Sequence, residues 1–141
     1  MITQGQTTLF KANCLSGLED FTATSPYLYK IALYTADATL DNTTTAYTTV
    51  GEISGTGYSP GGKQLYPVAP AYDAIANVAY VSFATVLWNP ASFTCRGALI
   101  YNSTTGAAVA VLDFGSDKTA TSTFTITFPT DDASNAIIRF A

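Results

Sequence analysis

The chain has 141 residues and a mass of 14.8 kDa, a length that fits one domain, and we predict a single domain over residues 1–141. Hydrophobic residues make up 48% and charged residues only 11%, so the chain can fill a core and is not intrinsically disordered. The net charge of −4 and the sequence pI of about 4.3 disfavour electrostatic binding to nucleic acid or to an anionic membrane.

The chain contains no histidine, which excludes Ser-His-Asp and Cys-His catalysis. Cys14 and Cys95 are the only thiols, too few for a structural zinc site. We favour two reduced, buried thiols, with a disulfide between them as the alternative. We therefore predict no catalytic residue, no metal site, no cofactor and no enzymatic activity, although two-carboxylate glycoside hydrolysis does not need histidine.

A short helix is predicted near the start of the chain, over about residues 7–18. Its apolar positions fall on one side of a helix: Leu9, Phe10, Cys14, Leu15 and Leu18. The residues before it lack the basic and apolar regions of a secretory signal, and no apolar run reaches the length of a membrane span. We expect synthesis in a cytosol.

The rest of the chain has a β-protein composition, with 23 threonines, nine tyrosines and eight phenylalanines. Strict alternation with threonine places Phe124, Ile126 and Phe128 on one face of a strand. The predicted strands are 29–35, 50–53, 64–68, 78–83, 86–88, 93–101, 108–114, 122–129 and 136–141.

The segment at 102–106 carries the Asn and Gly of a tight turn and predicts a hairpin. Its arms are nearly continuous in apolar residues, which places them centrally and buried on both faces. One helix and about eight strands indicate an all-β fold, an antiparallel β-sandwich or a jelly-roll-like domain.

Several local motifs have a simpler structural reading. The glycines at 55–62 match no phosphate-binding motif and are expected to form positive-φ turns. Asp113-Phe114-Gly115 spells the tripeptide of a kinase magnesium loop, but the chain lacks the other kinase motifs, so we interpret it as a chance match. Asp113, Asp117 and the pair Asp131-Asp132 lack calcium-loop spacing and are expected to be turn carboxylates.

Apolar residues near loops are the candidates for partner contacts, because tyrosine suits surfaces that are half buried and half wet. Each one is explained equally well as part of the rim of the protein's own core. A surface with so few charges suits packing against neighbouring subunits. The candidate contact residues are Leu9, Phe10, Tyr27, Tyr58, Tyr66 and Tyr72.

A series of segments runs through most of the chain in a recognisable order. They are YKIALYT at 29–35, ATLD at 38–41, TTAY at 44–47, GEISGTGY at 51–58, RGALIYNS at 96–103, AVAVLDFGSDK at 108–118 and AIIRF at 136–140. This pattern resembles small virion structural proteins of tailed bacteriophages. The residues before Tyr29 resemble the opening helix of that family only loosely.

The resemblance implies a non-enzymatic component of the phage particle, made in the host cytoplasm. We expect a capsid decoration or cement protein on the outer head surface, which contacts the major capsid protein and its own copies as a homotrimer or homodimer. A tail or fibre component is the alternative, with a glycan-binding module that uses Trp88 or loop tyrosines for stacking. Neither role requires nucleic acid, a membrane or a cofactor.

Overall fold

A computed structural model describes all residues, 1–141, as an antiparallel all-β fold with one short helix, which confirms the predicted fold class. The sandwich or jelly-roll arrangement of the sheets stays a prediction. The elements are β1 (Gly5–Gln6), α1 (Thr8–Leu15), β2 (Tyr29–Tyr34), β3 (Lys63–Leu65), β4 (Ala71–Asp73), β5 (Val78–Val81), β6 (Val86–Trp88), β7 (Phe93–Asn102), β8 (Ala108–Ala120), β9 (Phe124–Ile126) and β10 (Ile138–Phe140).

The largest sheet is built around the long β7–β8 hairpin and has the strand order β1-β8-β7-β2-β3. The predicted turn at 102–106 is confirmed as the connection of this hairpin. Strand β8 is longer than predicted: beyond a bulge between the pairs Gly97–Asp113 and Cys95–Lys118, it continues to pair with β7 as far as Ala120. Two smaller sheets, β10-β5-β4 and β6-β9, complete the fold.

The central sheet is buried on both faces, as the apolar arms of the hairpin predicted. Along β2, Ile31 and Leu33 belong to a core cluster of 23 buried residues, whereas Ala32 and Tyr34 belong to a second cluster of nine. Successive side chains of a strand point to opposite faces, so one strand supplies both clusters. Strands of the smaller sheets contribute to the larger cluster, and the N-terminal residues and the loop after β2 contribute to the smaller one.

Helix α1 is shorter than the predicted 7–18. It begins after Thr7, whose hydroxyl accepts a hydrogen bond from the Phe10 amide at 3.1 Å and donates one to the Ala108 carbonyl at 3.0 Å. It ends at Leu15 because the chain turns into a left-handed glycine, Gly17 at φ +73°. The helix is thus fixed at its N-terminus to β8.

Other boundaries also differ from the sequence prediction. Residues 50–53 form only an isolated bridge between Tyr34 and Glu52, and the strand expected at 122–129 is reduced to β9. The shared face predicted for that segment is confirmed, since Ile126 and Phe128 are buried in the larger cluster and Phe124 packs against it. Strands β1 and β4 were not predicted, because two or three residues are too few to show a period of two.

The glycine-rich loop at 55–62 forms positive-φ turns as expected. Gly57 has a φ of +86° and Gly62 a φ of +78°. Both also lie against backbone: a Cβ at Gly62 would overlap the carbonyl group of Ile31, and one at Gly57 would overlap that of Pro90. Gly62 thus lets the loop lie directly on β2, and Gly57 lets it lie against the connection between β6 and β7.

We predict that Gly62→Ala destabilises the fold by about 3 kcal/mol or more, because the substitution adds a backbone clash to an unfavourable φ. Gly106→Ala is the matched control: Gly106 has a φ of +83°, but a Cβ there meets nothing within 4 Å. The control is expected to cost about 1–2 kcal/mol. Urea denaturation measures both, and equal losses would show that the close approach to Ile31 is unimportant.

Candidate interaction surface

The six predicted contact residues separate into three groups. Tyr66 and Tyr72 are exposed, at 62% and 78% of their surface. Leu9 and Tyr27 are partly buried. Phe10 and Tyr58 are buried, at 0% and 8% exposure, so the prediction of a surface contact at these two positions is wrong.

Phe10 anchors the helix to the larger core cluster. Its ring lies 5.9 Å from the ring of Phe21 and 5.8 Å from that of Phe140, both common distances for aromatic pairs. The N-cap at Thr7 fixes the start of the helix and so directs this side chain inward. The helix therefore covers the core, and its most exposed large residue is Leu15.

Tyr58 belongs to a polar cluster around Glu52. The Tyr58 hydroxyl donates to Glu52 Oε2 at 2.6 Å and accepts from the Leu33 amide at 3.0 Å. The Tyr47 hydroxyl donates to Glu52 Oε1 at 2.6 Å, and the Gly61 amide donates to Oε2 at 2.8 Å. Burial, followed by the hydrogen bond to Glu52, raises the pKa of Tyr58 above its ordinary value. The cluster ties the loop at 47–61 to β2.

The exposed tyrosines lie along an edge shared by two sheets. Strand β3 pairs only with β2, and β4 pairs only with β5. Between them, Pro67 forms a bridge to Phe83, so residues 63–73 run as one edge. Pro67 and Pro70 have no N–H group, which limits the pairing of a further strand along this edge.

Exposure alternates only in the middle of this edge, where Leu65 is buried and Pro67 partly buried between exposed neighbours. The residues from 68 to 72 are all exposed. We call the exposed even-numbered residues the tyrosine edge: Gln64, Tyr66, Val68, Pro70 and Tyr72. None of them is charged. Its two tyrosines expose roughly 280 Å².

Tyr66 and Tyr27 meet across a groove of about 310 Å³ beside β3. We call it the β3 groove. One wall is the loop before β2 and the other is the end of β3 with the residues after it. Its principal lining residues are Asp20, Phe21, Tyr27, Leu28, Gln64, Leu65 and Tyr66. The structure thus brings two of the predicted contact residues together.

Asp20 is the one charged residue that lines the β3 groove. Hydrogen bonds from Thr22, including its amide to Asp20 Oδ1 at 2.9 Å, hold the pKa of the Asp20 carboxyl below its ordinary value. The Asp20 amide donates to the Tyr29 hydroxyl at 3.0 Å. The carboxylate is therefore ionised and its backbone is fixed against the sheet.

The neighbouring Glu19 fixes the same loop from the inside. Its Oε2 accepts from the Tyr29 hydroxyl at 2.7 Å and from Asn102 Nδ2 at 3.4 Å, while its Oε1 is buried without a hydrogen-bond partner. Burial raises the pKa of Glu19 above its ordinary value, and hydrogen bonds from Tyr29 and asparagine side chains oppose that rise.

The other chemical candidates have structural roles. Cys14 and Cys95 are free, which confirms the reduced thiols; Cys95 is buried and Cys14 partly buried, and burial raises their pKa values to about 12 and about 11. Asp113 and Asp132 are turn carboxylates as expected, each accepting from the amide two residues on. Trp88 is 1% exposed and cannot serve as a sugar-stacking surface.

No group of three or more His, Cys, Asp or Glu residues is arranged to hold a metal ion. No helix combines the length and the apolar character needed to span a membrane. Comparisons with family models, curated proteins and solved structures found no match for this chain.

Sequence reasoning missed Gln64, Val68 and Pro70 as surface residues. The available signal was the run 66–72, which holds two prolines and no charge. Prolines are typical of edge strands, so the run indicates an edge. Which of its residues face outward depends on the single bridge at Pro67, which a sequence pattern does not reveal.

We predict that Tyr58→Phe destabilises the protein by about 1–3 kcal/mol, because the Leu33 amide loses its buried acceptor and Glu52 loses a donor. Tyr72→Phe removes an exposed hydroxyl and is expected to change stability by less than about 0.5 kcal/mol. Urea denaturation followed by Trp88 fluorescence measures both. Equal stability of Tyr58→Phe and the unmodified protein would contradict the role of the cluster.

A second prediction concerns pH. The native state holds the Glu19 proton more tightly than the unfolded chain, so ionisation costs stability as the pH rises above the ordinary value of 4.5. Relative to Glu19→Gln, the unmodified protein should therefore lose unfolding free energy between about pH 4 and pH 7. The Asp41 carboxyl has a lowered pKa, because it accepts hydrogen bonds from Thr43. Relative to Asp41→Asn, the unmodified protein should therefore gain unfolding free energy as the pH rises. Parallel curves for Glu19→Gln and the unmodified protein would contradict the burial effect.

Proposed function

We propose that this protein is a structural component of a tailed-phage particle, a capsid decoration protein that binds the outer surface of the assembled head. The observation that supports this proposal best is the tyrosine edge, a set of exposed, uncharged side chains on a sheet margin whose ends carry Lys63 and Asp73. The resemblance of several segments to small virion proteins points in the same direction.

The proposed mechanism is repeated burial of a modest surface. The exposed area of Tyr66 and Tyr72 is well below the roughly 800 Å² per partner of a standard stable interface. A single edge therefore binds weakly, and lasting attachment needs further contacts with the major capsid protein or with other copies of this chain. Copies that bind the assembled shell and not its free subunits shift assembly toward the particle by mass action.

The edge is suited to contact through side chains. Pro67 and Pro70 restrict backbone pairing, while the aromatic rings of Tyr66 and Tyr72 provide large area with little rotational freedom to lose. A homodimer or homotrimer through this edge would use the same chemistry, because no charge on it repels a second copy.

A tail or fibre component is the second candidate. Exposed tyrosines without neighbouring charge also suit stacking against sugar rings, and Tyr66 and Tyr72 have that exposure. In that role, the protein would bind host glycans and lose the binding when either tyrosine is replaced by alanine.

Cryo-electron microscopy of purified particles with and without this protein tests the location. We expect density at regular sites over the icosahedral head lattice. Density confined to the vertex or the tail would overturn the decoration proposal and favour the tail or fibre role.

The binding surface is tested by the double variant Tyr66→Ser with Tyr72→Ser. We expect at least a tenfold loss of affinity for heads that lack the protein, because the two largest exposed side chains of the edge are removed. Val50→Ser is the control, since Val50 is 76% exposed and lies outside the edge. Removal of residues 1–19 is unsuitable as a test, because it deletes β1 and the buried Phe10. Equal binding by the double variant and the control would exclude the tyrosine edge as the contact.

A further inference from the structure

We propose that the β3 groove binds an extended segment of a partner protein in which a lysine or arginine is flanked by apolar side chains. This inference rests on the proposed function, since it specifies the chemistry of the partner that the decoration protein contacts. The evidence lies in the shape of the groove, its charge and the way its walls are held.

The shape of the groove fits a short extended chain. Its volume of about 310 Å³ lies at the lower end of ligand-pocket sizes and admits a few side chains. Strand β3 forms one wall and has no strand on its outer side. Only the backbone groups of Lys63–Leu65 that do not bond to β2 are available at this edge, because the Tyr66 carbonyl already accepts from the Ala84 amide at 2.9 Å and Pro67 has no N–H.

The charge of the groove selects a basic occupant. Asp20 is its one charged lining residue, and no lysine or arginine lines it. A cation placed at Asp20 would also lie near the aromatic rings of Tyr27 and Tyr66, whose faces attract positive charge. A carboxylate in the same place would meet Asp20 without compensation.

The walls of the groove are already held in place. Glu19 and Asp20 both bond to the Tyr29 hydroxyl, and the Leu28 amide donates to Thr104 Oγ1 at 2.9 Å. The Ser103 amide donates to the Leu28 carbonyl at 2.7 Å. A preformed groove loses little conformational entropy on binding, which favours a short ligand.

Two other cavities lack this combination. A pocket of about 120 Å³ beside Phe10 and Phe140 is almost wholly apolar and too small for an extended segment. An open groove at the N-terminal residues contains Arg96 and Asp113, which pair at 3.2 Å and neutralise one another. The apolar pocket is also lined by Glu19, but Glu19 Oε2 is engaged by Tyr29 and Asn102 and the pocket is small, whereas the β3 groove combines the Asp20 carboxylate with room for a few side chains.

The proposal is tested by an NMR titration of the full chain with a blocked five-residue peptide, Thr-Val-Lys-Val-Thr. We expect shifts of the amide signals of Thr22, of residues 27–29 and of residues 64–66. The same peptide with glutamate in place of lysine should bind at least tenfold more weakly. Equal affinity for the two peptides, or shifts confined to other surfaces, would overturn the proposal.

Asp20→Asn is the decisive variant, and we expect it to weaken binding of the lysine peptide at least fivefold. Asp37→Asn is the matched control, because Asp37 is an exposed acid outside the groove. Equal affinity of the two variants would contradict the role of Asp20. If Asp20→Asn lowers the stability of the loop, the comparison of the two peptides with the unmodified protein remains the criterion. Equal affinities of the lysine and glutamate peptides would then contradict the proposal.

The peptide titration uses no phage particle, so its failure is distinct from failure of the proposed function. Peptide binding without density on the head would exclude decoration and leave the groove assignment intact. Density on the head, together with normal attachment by Asp20→Asn, would exclude the groove and leave decoration intact.

Discussion

Burial of the central sheet on both faces is the constraint on which the rest of the structure depends. Successive residues alternate between the two core clusters over 31–34 of β2 and 98–101 of β7, so both faces need cover. The larger face is covered by strands of the smaller sheets and by Phe10, and the other face by Ile2, Ala38 and Leu40. Apart from Leu65, the edge at 63–73 takes no part in covering either face and stays exposed along most of its length.

Hydroxyl groups, more than ion pairs, hold the covering loops in place. Arg96–Asp113 is the single salt bridge, whereas the tyrosines around Glu52 and Glu19 make hydrogen bonds of 2.6–2.7 Å to carboxylates. Five aspartates accept from the amide two residues on and so stabilise turns; they are Asp20, Asp41, Asp73, Asp113 and Asp132. Half of the ten acidic residues therefore stabilise turns by accepting backbone hydrogen bonds. The loops are held by these bonds and by tyrosine hydroxyls, and not by ion pairs.

The parts of the fold that sequence predicted are those with a long local signal. Strand β2, the hairpin and the alternation through Phe128 span enough residues to show a period or an unbroken apolar run. Strands β1 and β4 are too short for either. Phe10 and Tyr58 illustrate a different limit, because a residue type favoured at interfaces is equally suited to a core rim. Tyr58 is buried because its hydroxyl donates to Glu52. That contact needs the loop to lie close to β2, which Gly62 permits because it has no side chain to clash with Ile31.

The prolines of the exposed edge limit further strand pairing and leave its tyrosines free for side-chain contacts. An uncharged margin on an exposed sheet invites uncontrolled strand pairing, and prolines are a common way to prevent it. Here Pro67 and Pro70 interrupt the backbone ladder, while Tyr66 and Tyr72 remain available as side chains. In the proposed role, recognition depends mainly on the tyrosine rings and on the local charge at Asp20. Such contacts are individually weak, and they become effective where many copies bind a repeated surface.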